Sequence, residues 1–403
     1  MARRGATGPR RPRHGRERRM KVRRILAVGM AMVLTAVSPA VAAAGEPQVS
    51  AQAAALIEAE SGRTVFAKNE TEQLSMASTT KIMTALLTLE EIEASGDREV
   101  TITDEMVRVE GSSMGLLPGY RLTLHDLAVG MLTVSGNDAA NSAAYAIDGS
   151  PSAFADRMNR RAETLGLENT HFVTPSGLDA DGHYSTALDM ARLGAAAISN
   201  PEFRSICSQQ QMTVSFAYPE QTYHLTNHNK MLSLYDGCIG IKTGYTKKSG
   251  RCLVTAAERD GILLVAATLN APDDWNDHRV MLDYGFSQIE TFSPDDSGEI
   301  WTLPVVGGVV EEITAVGQKA GRVTLQIGEE AQITRTVKLP RFLYAPVQTG
   351  EQVGEVEYSL NGEALLTAPI LAREDVTAQE IEKSWLDGIL DWISSLLGRI
   401  QGK

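Results

Sequence analysis

Short β-type runs at both ends of a helical middle are the feature that most constrains this chain. Residues 53–58 and 64–67 are apolar runs joined by Ala59-Glu60-Ser61-Gly62-Arg63, which predicts a β-hairpin. Far downstream, 211–225, 240–243, 252–258 and 262–269 are again short runs rich in β-branched or aromatic residues. Between the two groups, helical spacing of apolar residues marks 82–92, 122–132, 139–147, 152–165 and 186–198, with Ser185 the expected N-cap of the last. Residues 281–286 read as the end of a closing helix. A strand buries its apolar side only by pairing and packing. The early hairpin is therefore expected beside the late strands in one antiparallel sheet, giving a mixed α/β domain with a helical part.

Composition changes near residue 291. From 299 to 371 there are many short β runs broken by turns such as Val306-Gly307-Gly308 and Leu360-Asn361-Gly362-Glu363, with no helical period. This reads as a separate small all-β domain, with the boundary near Ser293-Pro294-Asp295-Asp296-Ser297-Gly298. The tail differs again. Trp385, Leu386, Ile389, Leu390, Ile393, Leu396, Leu397 and Ile400 recur at helical spacing, with Asp387, Asp391, Ser394, Ser395 and Arg399 opposite them. Such a helix either docks on protein or lies in a membrane interface.

Charge is distributed unevenly. Residues 1–24 hold 11 Lys/Arg and one acid, a local +10, so a chain of formal charge −12 carries −22 over the remainder. A body that acidic repels phosphates and excludes nucleic acid as a partner. The basic start leads into a 13-residue apolar run at 25–37, too short to span a bilayer, and then into small residues at 39–45. This reads as a secretory signal peptide starting at Met20-Lys21 and cleaved near Ala42 or Ala44. The expected divisions are 1–44 signal with a basic extension, 45–290, 291–376 and 377–403.

Cys207, Cys238 and Cys252 are too few for a disulfide scaffold, and their odd number leaves at least one unpaired within the chain. If Lys242 pairs roughly with Cys252 across a hairpin, Cys238 lies too far along the sheet for a direct bridge. Both then read as buried small apolar residues. His224 and His228 lack the flanking acids of a metal motif and read as ordinary hydrogen-bonding residues, so no metal and no cofactor are expected.

Three short motifs carry the chemistry: Ser78-Thr79-Thr80-Lys81, Ser135-Gly136-Asn137 and Lys242-Thr243-Gly244, separated by 57 and 107 residues. An S-x-x-K alone arises by chance roughly once in a chain this long. The ordered set does not. Ser78 and Lys81 lie about one helical turn apart on one face. A lysine whose pKa is lowered by burial and a second cation can take the serine proton. Ser78 is thus the candidate nucleophile and Lys81 the base, with Ser135 a proton relay to the leaving amine. Asn137 would bond Lys81 or the substrate amide, and Lys242 and Thr243 would hold a substrate carboxylate. Gly244 would let substrate backbone approach the strand. The backbone N–H groups of Ser78 and Tyr245 are the natural oxyanion donors.

With these motifs in hand, the chain resembles the low-molecular-weight penicillin-binding proteins, serine-type D-alanyl-D-alanine carboxypeptidases. The similarity extends around each motif and to Ser176-Gly177-Leu178-Asp179 and Leu282-Asp283-Tyr284-Gly285-Phe286. The β domain, with Ala345-Pro346-Val347 and Gly350-Glu351-Gln352-Val353-Gly354, resembles the family's membrane-proximal domain. The resemblance implies a penicillin-binding/β-lactamase-like α/β catalytic domain, an all-β domain and a terminal anchor helix. It also implies removal of D-alanine from peptidoglycan stem peptides, acylation by β-lactams, and a site on the outer face of the membrane or in the wall. Two other functions share the motifs. A serine β-lactamase needs a deacylating Glu, for which only Glu168-Asn169 is near; a penicillin-binding sensor would keep the fold without turnover. One departure stands out. Basic residues often follow the last catalytic-domain strand in the family, whereas this chain has Pro272-Asp273-Asp274-Trp275-Asn276-Asp277, with Arg279 the nearest cation.

Overall fold

A computed structural model of the chain describes residues 45–380, 388–390 and 392–393. The expected signal peptide and most of the amphipathic tail lie outside the described residues.

In chain order, the first part comprises β1 (Ala53–Glu58), β2 (Thr64–Lys68), α1 (Lys81–Ser95), β3 (Glu99–Thr101), α2 (Asp104–Val107), β4 (Arg121–Thr123), α3 (Leu124–Thr133), α4 (Asn137–Asp148), α5 (Pro151–Thr164), α6 (Ala187–Ile198) and α7 (Pro201–Cys207). There follow β5 (Gln211–Phe216), β6 (Gln221–Thr226), α8 (Met231–Leu234), β7 (Cys238–Thr246), β8 (Gly250–Arg259), β9 (Ile262–Leu269) and α9 (Asp274–Gln288). The early hairpin does join the late strands. One antiparallel sheet runs β2-β1-β9-β8-β7, with β1 registered against β9 from Ala53↔Leu269 to Glu58↔Leu264. β7 is an edge strand.

Every residue of β1 is buried because both faces of the sheet are covered. Ala53, Ala55 and Ile57 enter the large core shared with α1, α3 and α6, while Ala54 and Leu56 enter the core under α9. This two-sided burial explains why the strand reads as a continuous apolar run rather than an alternating one.

Several local expectations need correction. Thr186, not Ser185, caps α6: its side chain accepts the Asp189 N–H, while Ser185 bridges to Leu74. A Thr three residues before an Asp satisfies a free helical N–H equally well. The 211–225 run folds as its own two-stranded sheet of β5 and β6, outside the main sheet. Lys242 pairs with Val254, and Cys252 with Gly244, two positions from the expected register. Cys238 sits opposite Ala257 and is half-buried rather than buried. All three thiols are free.

Beyond α9 come β10 (Ile289–Phe292), β11 (Ile300–Val306), β12 (Glu312–Gly317), β13 (Val323–Gln326), β14 (Thr334–Lys338), β15 (Leu343–Tyr344), β16 (Gln352–Leu360) and β17 (Glu363–Ala372). Six of these form a sheet ordered β14-β16-β17-β12-β11-β15 around its own core of Leu303, Ile313, Val356 and Ile370. Apart from one short 3₁₀ turn the region is all β. Among the described residues no helix is long and apolar enough to cross a membrane. Residues 388–390 and 392–393 are helical and leave Ile389, Leu390, Trp392 and Ile393 exposed.

Candidate active site

Ser78 lies in a 3₁₀ turn, Ala77–Thr80, that feeds directly into α1. α1 is anchored by a run of core side chains from Ile82 to Leu89, so the turn at its mouth is held from below. The next residue after the turn, Lys81, is fully buried. Its Nζ meets three oxygens: Ser78 Oγ at 3.0 Å, Asn137 Oδ1 at 2.6 Å and the Ser176 carbonyl at 2.6 Å.

The orientation of Asn137 follows from its other bond. Its Nδ2 donates to the Glu110 carbonyl at 2.6 Å, which turns Oδ1 toward Lys81. A carbonyl and an amide oxygen accept only, so two positions around Nζ are N–H donors in either protonation state. The third position, toward Ser78, is where a neutral amine presents its lone pair. Burial first, and the Lys242 charge second, hold the Lys81 amine well below the usual lysine range, with Asp138 opposing them. Lys242 is itself buried, which pushes it down to about 7, and its Nζ donates to the Thr243 carbonyl at 2.8 Å.

Asn137 opens α4, and its neighbour Asp138 ties that helix start to the preceding loop. Asp138 accepts from the Met114, Gly115 and Leu116 N–H groups and from Ser113 Oγ. Ser135, two residues before Asn137, adopts a left-handed φ of 62°, a conformation held by its surroundings. It lines the cleft with Ser78 rather than bonding Lys81 directly.

The third motif arrives on the edge strand. A Cβ built on Gly244 would stand 3.1 Å from the Met76 carbonyl and from the Ser78 and Thr79 nitrogens. The glycine therefore lets the strand lie tight against the nucleophile's own turn, in addition to the expected approach of substrate backbone. Behind Ser78 the 174–184 loop plays a matching part. Gly177 has φ +83°, and a Cβ there would lie 2.0 Å from the Ala77 carbonyl. His183 locks the same region: its Nδ1 accepts the Val173 N–H, so its Nε2–H donates to Thr80 Oγ1 at 2.9 Å. Burial lowers it to about 4, keeping it neutral.

These elements enclose a cleft of about 350 Å³ lined by Ser78, Ser135, Thr243, Gly244 and Tyr245, together with residues the motifs do not contain. Ser112, His228, Lys230, Arg251, Asp274 and Trp275 complete the wall. His228, expected as an ordinary polar residue, thus faces the cleft, where burial and Lys242 lower its pKa. His224 bonds Thr213 on the β5–β6 hairpin instead. Arg279, the expected nearest cation, bonds Asn276 and faces Asp283 on α9, away from the cleft lining. Motif spacing does not mark Glu110, His228 or Arg251 as members of the site, because each is brought there by tertiary approach or strand register.

A nucleophile touching a depressed lysine, beside an edge strand that offers a second lysine and unpaired backbone, can acylate itself with a peptide laid along that strand. Comparison with known proteins identifies the lineage. The family model described as D-alanyl-D-alanine carboxypeptidase matches residues 40–273, and that described as penicillin-binding protein 5, C-terminal domain, matches residues 286–378. The chain is 30% identical over 334 residues to D-alanyl-D-alanine carboxypeptidase DacF of Bacillus subtilis (strain 168), covering 81% of this chain and 86% of that one. It is 34% identical over 351 residues to DacC of Escherichia coli (strain K12), covering 82% and 85%. Penicillin binding protein 5 from Haemophilus influenzae superimposes with a TM-score of 0.61 at 28% identity, over 83% of this chain and 99% of its own. With an S-x-x-K serine, a buried lysine pair and a β domain of the matching type, the chain is a low-molecular-weight penicillin-binding protein of the serine D-alanyl-D-alanine carboxypeptidase family.

Proposed function

We propose that this protein removes the terminal D-alanine from peptidoglycan stem pentapeptides through an acyl-enzyme on Ser78. The observation that carries the assignment of roles is Lys81 Nζ, buried and held by two acceptors with its third direction on Ser78 Oγ. Lys81 takes the Ser78 proton as Oγ attacks the penultimate carbonyl. The developing oxyanion is received by the N–H groups of Ser78 and Tyr245. The C–N bond then breaks, and the departing amine of D-alanine acquires a proton delivered through Lys81 and Ser135. Water hydrolyses the ester and restores Ser78. Asn137 orients Lys81, Lys242 and Thr243 receive the substrate carboxylate, and Gly244 keeps the strand close.

β-Lactams acylate the same serine. Glu168, the carboxylate a β-lactamase reading requires, is exposed and is not among the residues lining the cleft. The penicilloyl enzyme is therefore long-lived. In this reading the catalytic part extends to about residue 290 and the β domain begins at about 291. Export by the N-terminal segment and anchoring by the terminal helix put Ser78 at the outer face of the membrane. Support for the anchor comes from the exposed apolar residues Ile389, Leu390, Trp392 and Ile393 in the helical pieces 388–390 and 392–393.

The test is release of D-alanine from an N-acylated peptide ending in D-Ala-D-Ala, followed by mass spectrometry of wall peptides treated in parallel. Wild type converts pentapeptides to tetrapeptides and Ser78→Ala does not. Rapid nitrocefin turnover without D-alanine release overturns the reading.

A further inference from the structure

A carboxypeptidase must recognise the free C-terminal carboxylate of its substrate. The stretch after β9, from Asn270 to His278, holds no Lys or Arg to do so. Lys242 is 1% exposed and its Nζ is engaged by the Thr243 carbonyl. The cleft nonetheless contains a guanidinium. Arg251 enters it from β8, directly opposite Tyr245 in the β7–β8 register, and lines it together with Ser78, Thr243 and Gly244.

Resting on the function proposed above, we infer that Arg251 joins Lys242 and Thr243 in receiving the terminal carboxylate of the substrate and makes the enzyme an exopeptidase.

Three contacts present the group. Its Nε and Nη2 both donate to Asp274 Oδ1, at 2.9 and 2.6 Å. Its guanidinium carbon lies 5.4 Å from the centre of the Trp275 ring. Asp274 is only 3% exposed as a side chain and is fixed further by the Trp275 N–H at 2.9 Å. Arg251 itself keeps 41% of its side chain exposed. A guanidinium has five N–H donors in a rigid plane, and Asp274 uses two of them. The Nη1 edge remains to meet a planar carboxylate with paired bonds, a match that an ammonium cannot make. A stacked ring and a buried carboxylate pre-set that edge, so little rotamer freedom is lost on binding.

The position fits the direction of the substrate. A peptide running along the edge of β7 with its scissile carbonyl at Ser78 and Gly244 carries its last residue toward Tyr245 and the Arg251 opposite it. A C-terminal amide or a longer peptide would bring a neutral group to the guanidinium and forfeit the charge-assisted bonds. The other cation in the cleft wall is Lys230, at the start of α8. Its ammonium is a point charge without the fork, and neither a salt bridge nor a ring fixes it among the described contacts.

The experiment compares wild type, Arg251→Gln and Lys230→Gln on an N-acylated D-Ala-D-Ala peptide, and on an acylamino-ethylboronic acid that bonds Ser78 but lacks a carboxylate. For Arg251→Gln we expect kcat/KM on the peptide to fall roughly 10- to 100-fold, the loss for charge-assisted hydrogen bonds. Boronate affinity should stay within about threefold, which certifies an intact Ser78 and Lys81. Lys230→Gln should lose less on the peptide than Arg251→Gln does. The double variant Arg251→Gln/Asp274→Asn guards against effects of an unpaired buried Asp274 and should show the same selective loss. Unchanged peptide turnover in Arg251→Gln overturns the inference, as does an equal loss toward the boronate or a loss confined to Lys230→Gln. A wild-type protein that releases no D-alanine would overturn the proposed function itself, an outcome distinct from all of these.

Discussion

Replacing Asn137 by Asp tests the proton path with almost no change in shape. In the native site Asn137 Oδ1 lies 2.6 Å from Lys81 Nζ, and the amine is held neutral enough to act as a base. A carboxylate in the same place sets half a charge at that distance and half about 2 Å farther away. At an effective dielectric of about 20 this favours the protonated amine by about 5 kcal/mol. That equals a rise of roughly four pK units, since one unit is about 1.4 kcal/mol. The sign follows directly: the base is competent only above its pKa, so the acid limb of acylation moves to higher pH. At pH 7 the acylation rate constant should fall by up to about 10⁴-fold and recover steadily as pH is raised. The measurement is stopped-flow acylation by a fluorescent penicillin under single-turnover conditions between pH 5 and 10. Aspartate also loses the amide donor to the Glu110 carbonyl, at a cost of about 1–3 kcal/mol, so thermal melts must accompany the kinetics. A folded Asn137→Asp protein that acylates within tenfold of wild type, its acid limb unmoved, would refute Lys81 as proton acceptor.

Other expectations follow from the same geometry. Gly244→Ala places a Cβ 3.1 Å from the Ser78 and Thr79 nitrogens and should slow penicillin labelling at least about tenfold with little loss of helix content, as seen by circular dichroism. Lys242 loses its proton as pH rises through about 7, so kcat/KM on a carboxylate-terminated peptide should decline above neutrality, whereas Lys242→Arg should carry that decline beyond about pH 10. His183 titrates near 4 when folded against about 6.5 unfolded, so its contribution to stability is complete above pH 6.5 and is lost as pH falls toward 4. Unfolding free energies from urea titrations at pH 7 and 4.5 should differ by about 2 kcal/mol more in wild type than in His183→Gln. Ending the chain before Ser384 should release the protein from anionic lipid vesicles; unchanged co-sedimentation would remove the anchor role.

Much of the architecture was legible because local and global signals agree. The hairpin at 53–67, the helices from 122 to 198 and the strand at 262–269 each carry a period or a cap that survives in the fold. Edges of elements were less legible. Ser185 and Thr186 are both good caps, and only the Leu74 bridge to Ser185 decides between them. Register was hidden for a similar reason. A two-residue shift of Lys242 against β8 keeps every side chain on its own face, so pattern alone does not distinguish the pairings.

The amino-acid sequence by itself determined which groups react. Ser78 and Lys81 are bound together by one turn of helix, and no other serine stands in that relation to a motif lysine followed by Ser135-Gly136-Asn137 and Lys242-Thr243-Gly244. Tertiary structure alone decided what surrounds them. The Ser176 carbonyl, the Glu110 carbonyl behind Asn137, and Arg251 with Asp274 and Trp275 come from separate loops and strands. Their contributions are a backbone oxygen, an orientation and a register position, none of which leaves a signature in residue type. Chemistry that depends on identity can be read along a chain; chemistry that depends on approach exists only once the sheet and the helices have closed upon each other.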